Sequence, residues 1–305
     1  MIKLNIFIII ISMVYCQPIG AFQGGFATEN IDANSIGYGA IGILNNENSF
    51  GPLYNPGLIN ENFFSIGFSY NHLTLDRYSN SIIVGFRVPP KARASIGYIG
   101  SGVKDIIGRG YTGQITDSFK WTNHHLFFTF GFQLFTKLSA GIKLNIFFQN
   151  LIEEVSSTGL GFDIGCLLKP VQKIDLGITI RNIKAKSNWK IKLDDGTMRD
   201  YNEFYPLIIS FGSNIKLIPN LSILNQFDFY NFDEIGYIGN EKKIGINYKI
   251  NKFNSPINLR TGINDKNFTF GFSLPVKKYA GMNYGIFISR INMGNSHVFT
   301  WDIAL

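Results

Sequence analysis

From Asn62 to Leu305 the chain repeats one pattern: apolar residues alternate with small or polar ones over roughly ten positions, and a turn follows. Strict period-two alternation means strands with two unlike faces, because successive side chains point to opposite sides. Phe64, Ile66, Phe68 and Tyr70 alternate with Ser65, Gly67, Ser69 and Asn71. Leu138, Ala140, Ile142, Leu144, Ile146 and Phe148 alternate with Ser139, Gly141, Lys143, Asn145 and Gln149, and Phe268, Phe270, Phe272 and Leu274 with Thr269, Gly271 and Ser273. The pattern predicts fourteen strands, over 62–72, 80–89, 92–101, 120–135, 137–150, 157–169, 172–184, 205–217, 220–230, 241–250, 256–264, 267–274, 281–290 and 296–305. An even count is what single-chain bacterial membrane barrels require.

The two faces decide between a soluble sandwich and a membrane barrel. A sandwich turns a charge-rich polar face to water. Here the polar face is mostly Gly, Ser, Thr and Asn, and its few charges carry both signs: Arg87, Arg93, Lys143, Asp163, Asp175, Arg181, Asp228, Lys249, Arg260 and Asp302. The other face is almost unbroken Phe, Ile and Leu, as lipid outside and a hydrated or plugged lumen inside demand. We therefore expect an all-β fold, a 14-stranded antiparallel transmembrane β-barrel, with Arg87, Lys143, Asp163, Asp175, Arg181 and Arg260 facing its lumen and charges such as Asp163, Asp175, Arg181 and Arg260 pairing with each other. Connections agree: many are tight and rich in Pro or Lys, such as Pro89-Pro90-Lys91 and Ile218-Pro219-Asn220, while 102–119 and 185–204 are expected as longer outside loops. Both termini would then be periplasmic. The last strand ends in phase, with Phe299, Trp301, Ile303 and Leu305 on the apolar face, like the C-terminal assembly signal of outer-membrane barrels.

Composition sharpens this picture. Charged residues are only 16 %, and Phe (28) and Gly (32) are abundant. Met1-Ile2-Lys3, an apolar run from Ile6 to Ile11, and Val14 and Cys16 before Gln17 predict a signal peptide over 1–16. A lipoprotein site at Cys16 is the alternative, but Met13 and Tyr15 suit it poorly. Cleavage leaves Cys166 alone, which excludes an internal disulfide. The net charge of +7 is spread singly rather than in a Lys/Arg block, which argues against nucleic acid and for membrane lipid as the partner.

Residues 17–61 do not alternate. They hold Ala33-Asn34-Ser35-Ile36-Gly37-Tyr38-Gly39-Ala40 and, further on, Tyr54-Asn55-Pro56-Gly57-Leu58. These lines resemble the N-terminal signature of the PorV/PorQ family of FadL-like outer-membrane barrels, with Gly37, Gly39, Tyr54, Asn55, Pro56 and Leu58 on matching positions and Ala40 as a small residue in place of the pattern's last Gly. Asn34 stands where that pattern has Arg, and the alanine between Pro56 and Gly57 is missing. The resemblance implies fourteen strands over 62–305 and an N-terminal hatch, residues 17–61, inside the barrel. Glycines at inward positions, among them Gly67, Gly85, Gly97, Gly131, Gly141, Gly161, Gly245, Gly262 and Gly285, would leave room for such a segment or ease strand curvature.

Catalytic chemistry is hard to find. His72, His124, His125 and His297 all fall near predicted strand ends and read as rim residues; no His/Asp/Glu spacing supplies convergent metal ligands. Gly108-Arg109-Gly110 lacks the strand–loop–helix setting of a phosphate site. No cofactor and no enzymatic activity are expected. Two functions remain. The PorV/PorQ resemblance implies a component of type IX protein secretion and surface attachment, with secretion proteins or secreted cargo as partners. The FadL resemblance implies a passive channel for hydrophobic small molecules, along which inward Ile83, Ile99, Phe147, Ile208, Leu224 and Phe287 would lie, unless they pack against the hatch.

Overall fold

In the computed structural model, the alternating stretches pair edge to edge into a single antiparallel sheet. The structure describes residues 22–59, 62–152, 155–193, 196–232, 236–251, 256–265, 267–277, 279–289 and 294–305. The expected signal peptide and its cleavage site lie outside them. The strands are β1 (Phe64–His72), β2 (Arg77–Val88), β3 (Ala92–Arg109), β4 (Ile115–Phe135), β5 (Leu138–Ile152), β6 (Val155–Val171), β7 (Ile174–Lys192), β8 (Met198–Phe204), β9 (Leu207–Ile218), β10 (Leu221–Phe232), β11 (Gly236–Ile250), β12 (Ile257–Asn264), β13 (Asn267–Lys277), β14 (Ala280–Ser289) and β15 (Asn295–Ala304).

The wall closes twice over. β15 pairs with β1 from Ser65↔Ala304 to His72↔His297, and β7 pairs with β6 on one side and with both β8 and β9 on the other. β8 and β9 are two halves of one wall strand. β8 continues β7's ladder beyond Lys186↔Phe204, β9 takes it up at Arg181↔Ile208, and the Tyr205 amide donates to the Ala185 carbonyl between them. Pro206 has no N–H to give to the ladder, so the strand breaks there. β7 answers with Asn182 and Lys184 at positive φ and with register shifts against β6. The barrel thus has fourteen strands around its circumference, each antiparallel to its neighbours.

Two expected loops are corrected. Residues 102–119 and 185–204 are mostly paired strand: β3 and β4 run on through Val103↔Trp121 to Arg109↔Ile115, and β7 and β8 through Lys192↔Met198. These hairpins run on past the apolar band of the wall, so the outward row of Phe, Ile and Leu that marks the other strands is lost there. The Pro/Lys turns, by contrast, gather at one end, the end of Phe64 and Leu305. We call it the terminal end and its opposite the far end.

Side chains distribute as a membrane barrel requires. Phe128, Ile142, Phe162, Ile178, Ile244 and Phe270 are exposed on the outside, whereas Ser65, Ser69, Thr129, Thr269 and Thr300 are buried inside. Phe299, Trp301, Ile303 and Leu305 form an outward row on β15, and the Leu305 amide and carbonyl both bond to Phe64, stitching the last strand to the first.

Residues 30–58 lie inside the wall and are almost wholly buried. They include two short helices, α1 (Ala33–Gly37) and α2 (Gly51–Tyr54). Asp32 caps α1, its carboxylate accepting from the amides of Asn34 and Ser35 at 3.0 and 3.2 Å. Residues 22–27 sit at the far end, where Phe22 packs on the cluster of Ile208 and Tyr230. β1 therefore begins and β15 ends at the terminal end, while the first described residues lie at the opposite mouth; the expected mature N-terminus lies outside the described residues.

Candidate functional site: the lumen and the segment that fills it

The N-terminal segment is tied to the wall around its circumference. Thr300 Oγ1 on β15 accepts from the Ala33 amide at 2.9 Å, and Thr269 Oγ1 on β13 accepts from Gly39 at 2.9 Å. Gln226 on β10 accepts from Gly42 at 3.2 Å, and Asp302 on β15 accepts from Ser49 at 2.9 Å. Lys143 Nζ and Ser139 Oγ on β5 donate to the carbonyls of Leu53 and Gly57, at 2.5 and 2.6 Å, and Ser69 on β1 donates to Ile31 at 2.6 Å. Each bond satisfies a backbone group of the segment inside the wall.

The segment's close approach explains several inward glycines. A Cβ on Gly262 would lie 2.6 Å from Gly39 Cα, and one on Gly245 would lie 2.9 Å from Tyr38 Cα and C. On β4 and β5, Cβ atoms at Gly131 and Gly141 would run into the Pro56 carbonyl. Gly85, Gly97 and Gly161 are different: their nearest neighbours are wall side chains, of Arg93, Phe127 and Ala185.

The signature residues meet inside this packing. Tyr54 Oη accepts from the Ile31 amide at 2.9 Å and lies 3.3 Å from both the Asp32 amide and Ser35 Oγ, which fastens α2 to the start of α1. Burial drives its hydroxyl pKa well above the ordinary value. Asn55 Nδ2 donates to Ile43 and to Cys166 of β6, and its Oδ1 accepts from Gly57 at 2.9 Å. Gly37 lies against Arg260 and Gly271. Gly39 and Ala40 both have positive φ, +84° and +64°; the first suits glycine, the second strains an alanine. Leu58 packs with Tyr38, Ile41, Ile43, Leu44, Leu167 and Leu224.

Charges cross the lumen wall as a ladder. Lys143 pairs with Asp163 at 2.7 Å, Arg181 approaches Asp228 at 3.9 Å, and Lys243 pairs with Asp228 at 2.6 Å and Glu241 at 3.4 Å. Arg260 pairs with Glu47 of the segment at 2.8 Å, and Lys249 reaches the same carboxylate at 3.2 Å. Burial works against the charge on Glu47, yet Arg260 and Lys249 outweigh it and hold the carboxyl down at about 2. Asp175 sits lower, partly buried near the terminal end, 3.4 Å from Lys216. Arg87 is exposed, next to the turn at Pro89, and does not join the ladder; so close to a strand end a long side chain reaches water.

Nearer the far end the lumen is lined by aromatic rings. His125 lies 4.8 Å from Phe147 and 5.5 Å from Phe127 between ring centroids, and Phe147 lies 5.3 Å from Tyr205. Phe26 of the segment meets Phe147 edge-on at 5.8 Å. His125 is therefore buried among rings rather than at a rim, with Nε2 2.9 Å from Asn145 Oδ1. The extension of β4 beyond the wall moves the strand end away from it. His72 is exposed on the outside, and His124 and His297 bond to Tyr98 and Tyr284. Inward Ile83 and Ile99 pack with Ile31, Phe50, Leu53 and Tyr54, and Phe287 packs with Ala33 and Ile36. They contact the segment instead of lining an open path. Among the described residues no group of three or more His, Cys, Asp or Glu side chains is placed to hold a metal.

This architecture is shared with solved membrane channels. The chain superposes on CymD, a monoaromatic hydrocarbon channel, with a TM-score of 0.59 at 13 % identity, covering 93 % of this chain and 98 % of that one. It matches the Pseudomonas putida toluene transporter TodX with a TM-score of 0.59 at 11 % identity, over 95 % of this chain and 98 % of that one. A Pseudomonas aeruginosa FadL homologue gives 0.62 at 10 % identity, over 95 % and 99 %. No family model matches the sequence, and no curated protein matches it. The fold is that of the FadL-type channels, and at these identities the fold is what is shared.

Proposed function

We propose that this chain is a passive outer-membrane channel for small hydrophobic molecules, with residues 22–59 as its hatch and the terminal end in the periplasm. The observation that carries the reading is the aromatic lining at the far end of the lumen. Phe127, His125, Phe147 and Tyr205 gather their rings inside the barrel, buried against one another and against the hatch, where a water-filled porin would present charges, so a displaced hatch would leave an apolar aromatic surface. Fold kinship with channels whose names specify monoaromatic hydrocarbons and toluene supports the same substrate class. Proteoliposomes holding the full-length protein should take up labelled toluene faster than empty vesicles, with glucose uptake unchanged, and Phe147→Ser should slow it. Toluene entry no faster than into empty vesicles overturns the proposal.

The secretion reading, in which the barrel is a docking platform for other proteins, is supported by the Tyr54-Asn55-Pro56 signature and by the β3–β4 hairpin, which carries Ile106, Ile107, Tyr111 and Ile115 exposed beyond the wall. Its test is co-purification from the native membrane followed by mass spectrometry; recovery of no secretion protein ends it.

A further inference from the structure

One strand of the wall carries outward charge of a single sign just where the apolar band stops. On β7 the outward residues from the terminal end are Leu176, Ile178 and Ile180, followed after the positive-φ break at Asn182 by Lys184, Lys186, Asn188, Lys190 and Lys192. Their direction is set by the alternation, since Ala185 and Ser187 between them are buried inside. All four lysines are exposed, and none makes an ion pair with another described residue. The stripe spans roughly 26 Å at the strand rise of about 3.3 Å per residue.

Its neighbours complete an amphipathic surface. On β6, Ser156 and Thr158 lie opposite Lys190 and Asn188, and their outward hydroxyls flank the stripe. Immediately below, Leu160 and Phe162 are exposed at 45 % and 47 % and belong to the lipid-facing band. On β8 the outward positions are Met198, Asp200, Asn202 and Phe204, so Asp200, opposite Lys190, is the one carboxylate on this face among the described residues. Asp194 and Asp195 lie outside those residues.

We propose that this stripe binds the phosphorylated headgroup of a membrane lipid in the leaflet at the far end, with the acyl chains lying on Leu160, Phe162, Ile178 and Ile180. Lys184 and Lys186 stand at the boundary where a phosphate sits, and the hydroxyls of Ser156 and Thr158 add uncharged donors. Lys190 and Lys192 extend the positive field toward headgroups that reach further from the hydrocarbon. Lysine ammonium groups at a membrane surface attract anionic headgroups without needing fixed geometry, which suits flexible, exposed side chains.

Native mass spectrometry of the full-length protein in detergent, offered equal amounts of phosphatidylglycerol and phosphatidylcholine, tests the proposal. The expected result is a preference for phosphatidylglycerol of roughly five-fold or more, the equivalent of one lysine at a membrane surface. It should fall to parity in the K184Q/K186Q/K190Q/K192Q variant and survive in K91Q/K137Q/K169Q/K173Q, which removes the same charge at the terminal end. Both variants should keep the gel shift between unboiled and boiled samples, which shows that the barrel folds. Three results would overturn the proposal: no preference in the wild type, equal loss in both variants, or displacement of the lipid by inorganic phosphate at the same concentration.

Discussion

Gly262→Ala is the sharpest test of how the segment is seated. The three atoms nearest the added methyl all belong to the segment: Gly39 N, Tyr38 C and Gly39 Cα, the last at 2.6 Å. Carbon atoms rest about 3.5–4.0 Å apart, so Gly39 must retreat by roughly 1 Å. It is poorly placed to do so, because its amide is held by Thr269 and its positive φ is fixed by the turn. Overpacking of this kind costs about 1–3 kcal/mol, or about 5- to 150-fold in any equilibrium between seated and unseated states. The cost falls on the segment rather than the wall. Fourteen strands about 4.8 Å apart and tilted about 40° close a backbone cylinder roughly 14 Å in radius, so an unseated segment leaves a wide pore. Single-channel recording in planar bilayers should show Gly262→Ala opening far more often than wild type, toward the behaviour of a 22–58 deletion. Gly281→Ala is the control, since its methyl would find only the Leu274 carbonyl at 3.8 Å. If the two alanine variants conduct alike, or if the deletion conducts like wild type, the segment does not plug the lumen.

Other expectations follow from single contacts. Lys143→Met strands Asp163 in the wall without its partner and should cost about 3–5 kcal/mol in urea unfolding, part of it regained by adding Asp163→Leu. Phe128→Arg, on the lipid face, should cost about 2–4 kcal/mol by the depth-dependent barrel scale, whereas Tyr111→Arg at the fully exposed hairpin tip should cost almost nothing; equal costs would misplace the membrane. Because the Glu47 carboxyl is held down at about 2, its tie to Arg260 and Lys249 is intact above the ordinary value of 4.5 and is lost as pH falls from there toward 2; channel opening should rise over that window and should do so less in Glu47→Gln. In intact cells a membrane-impermeant thiol reagent should label Thr112→Cys at the far end and spare Thr136→Cys at the terminal end; the opposite labelling reverses the orientation.

Period-two alternation told the strands and their faces apart because it is a local property: each side chain's direction depends only on its parity within its own strand. Ser65 against Phe64, or Thr269 against Phe270, can be assigned from two neighbouring letters, and fourteen such stretches suffice for a closed barrel. The same logic failed where a strand leaves both lipid and lumen. Residues 103–109 and 186–192 run on past the apolar band, so no outward row of Phe, Ile and Leu marks them and they read as loops. Tertiary structure alone decided what lies across the wall. Lys143, Asp163, Arg181, Asp228 and Lys243 are spread over a hundred positions and become one ladder only when β5, β6, β7, β10 and β11 are set in register. An inward Phe147 and a His125 near an apparent strand end are likewise ambiguous by letter. The register His125↔Phe147 and the arrival of Phe26 make them one aromatic surface, because contact between distant strands depends on closure, not on composition.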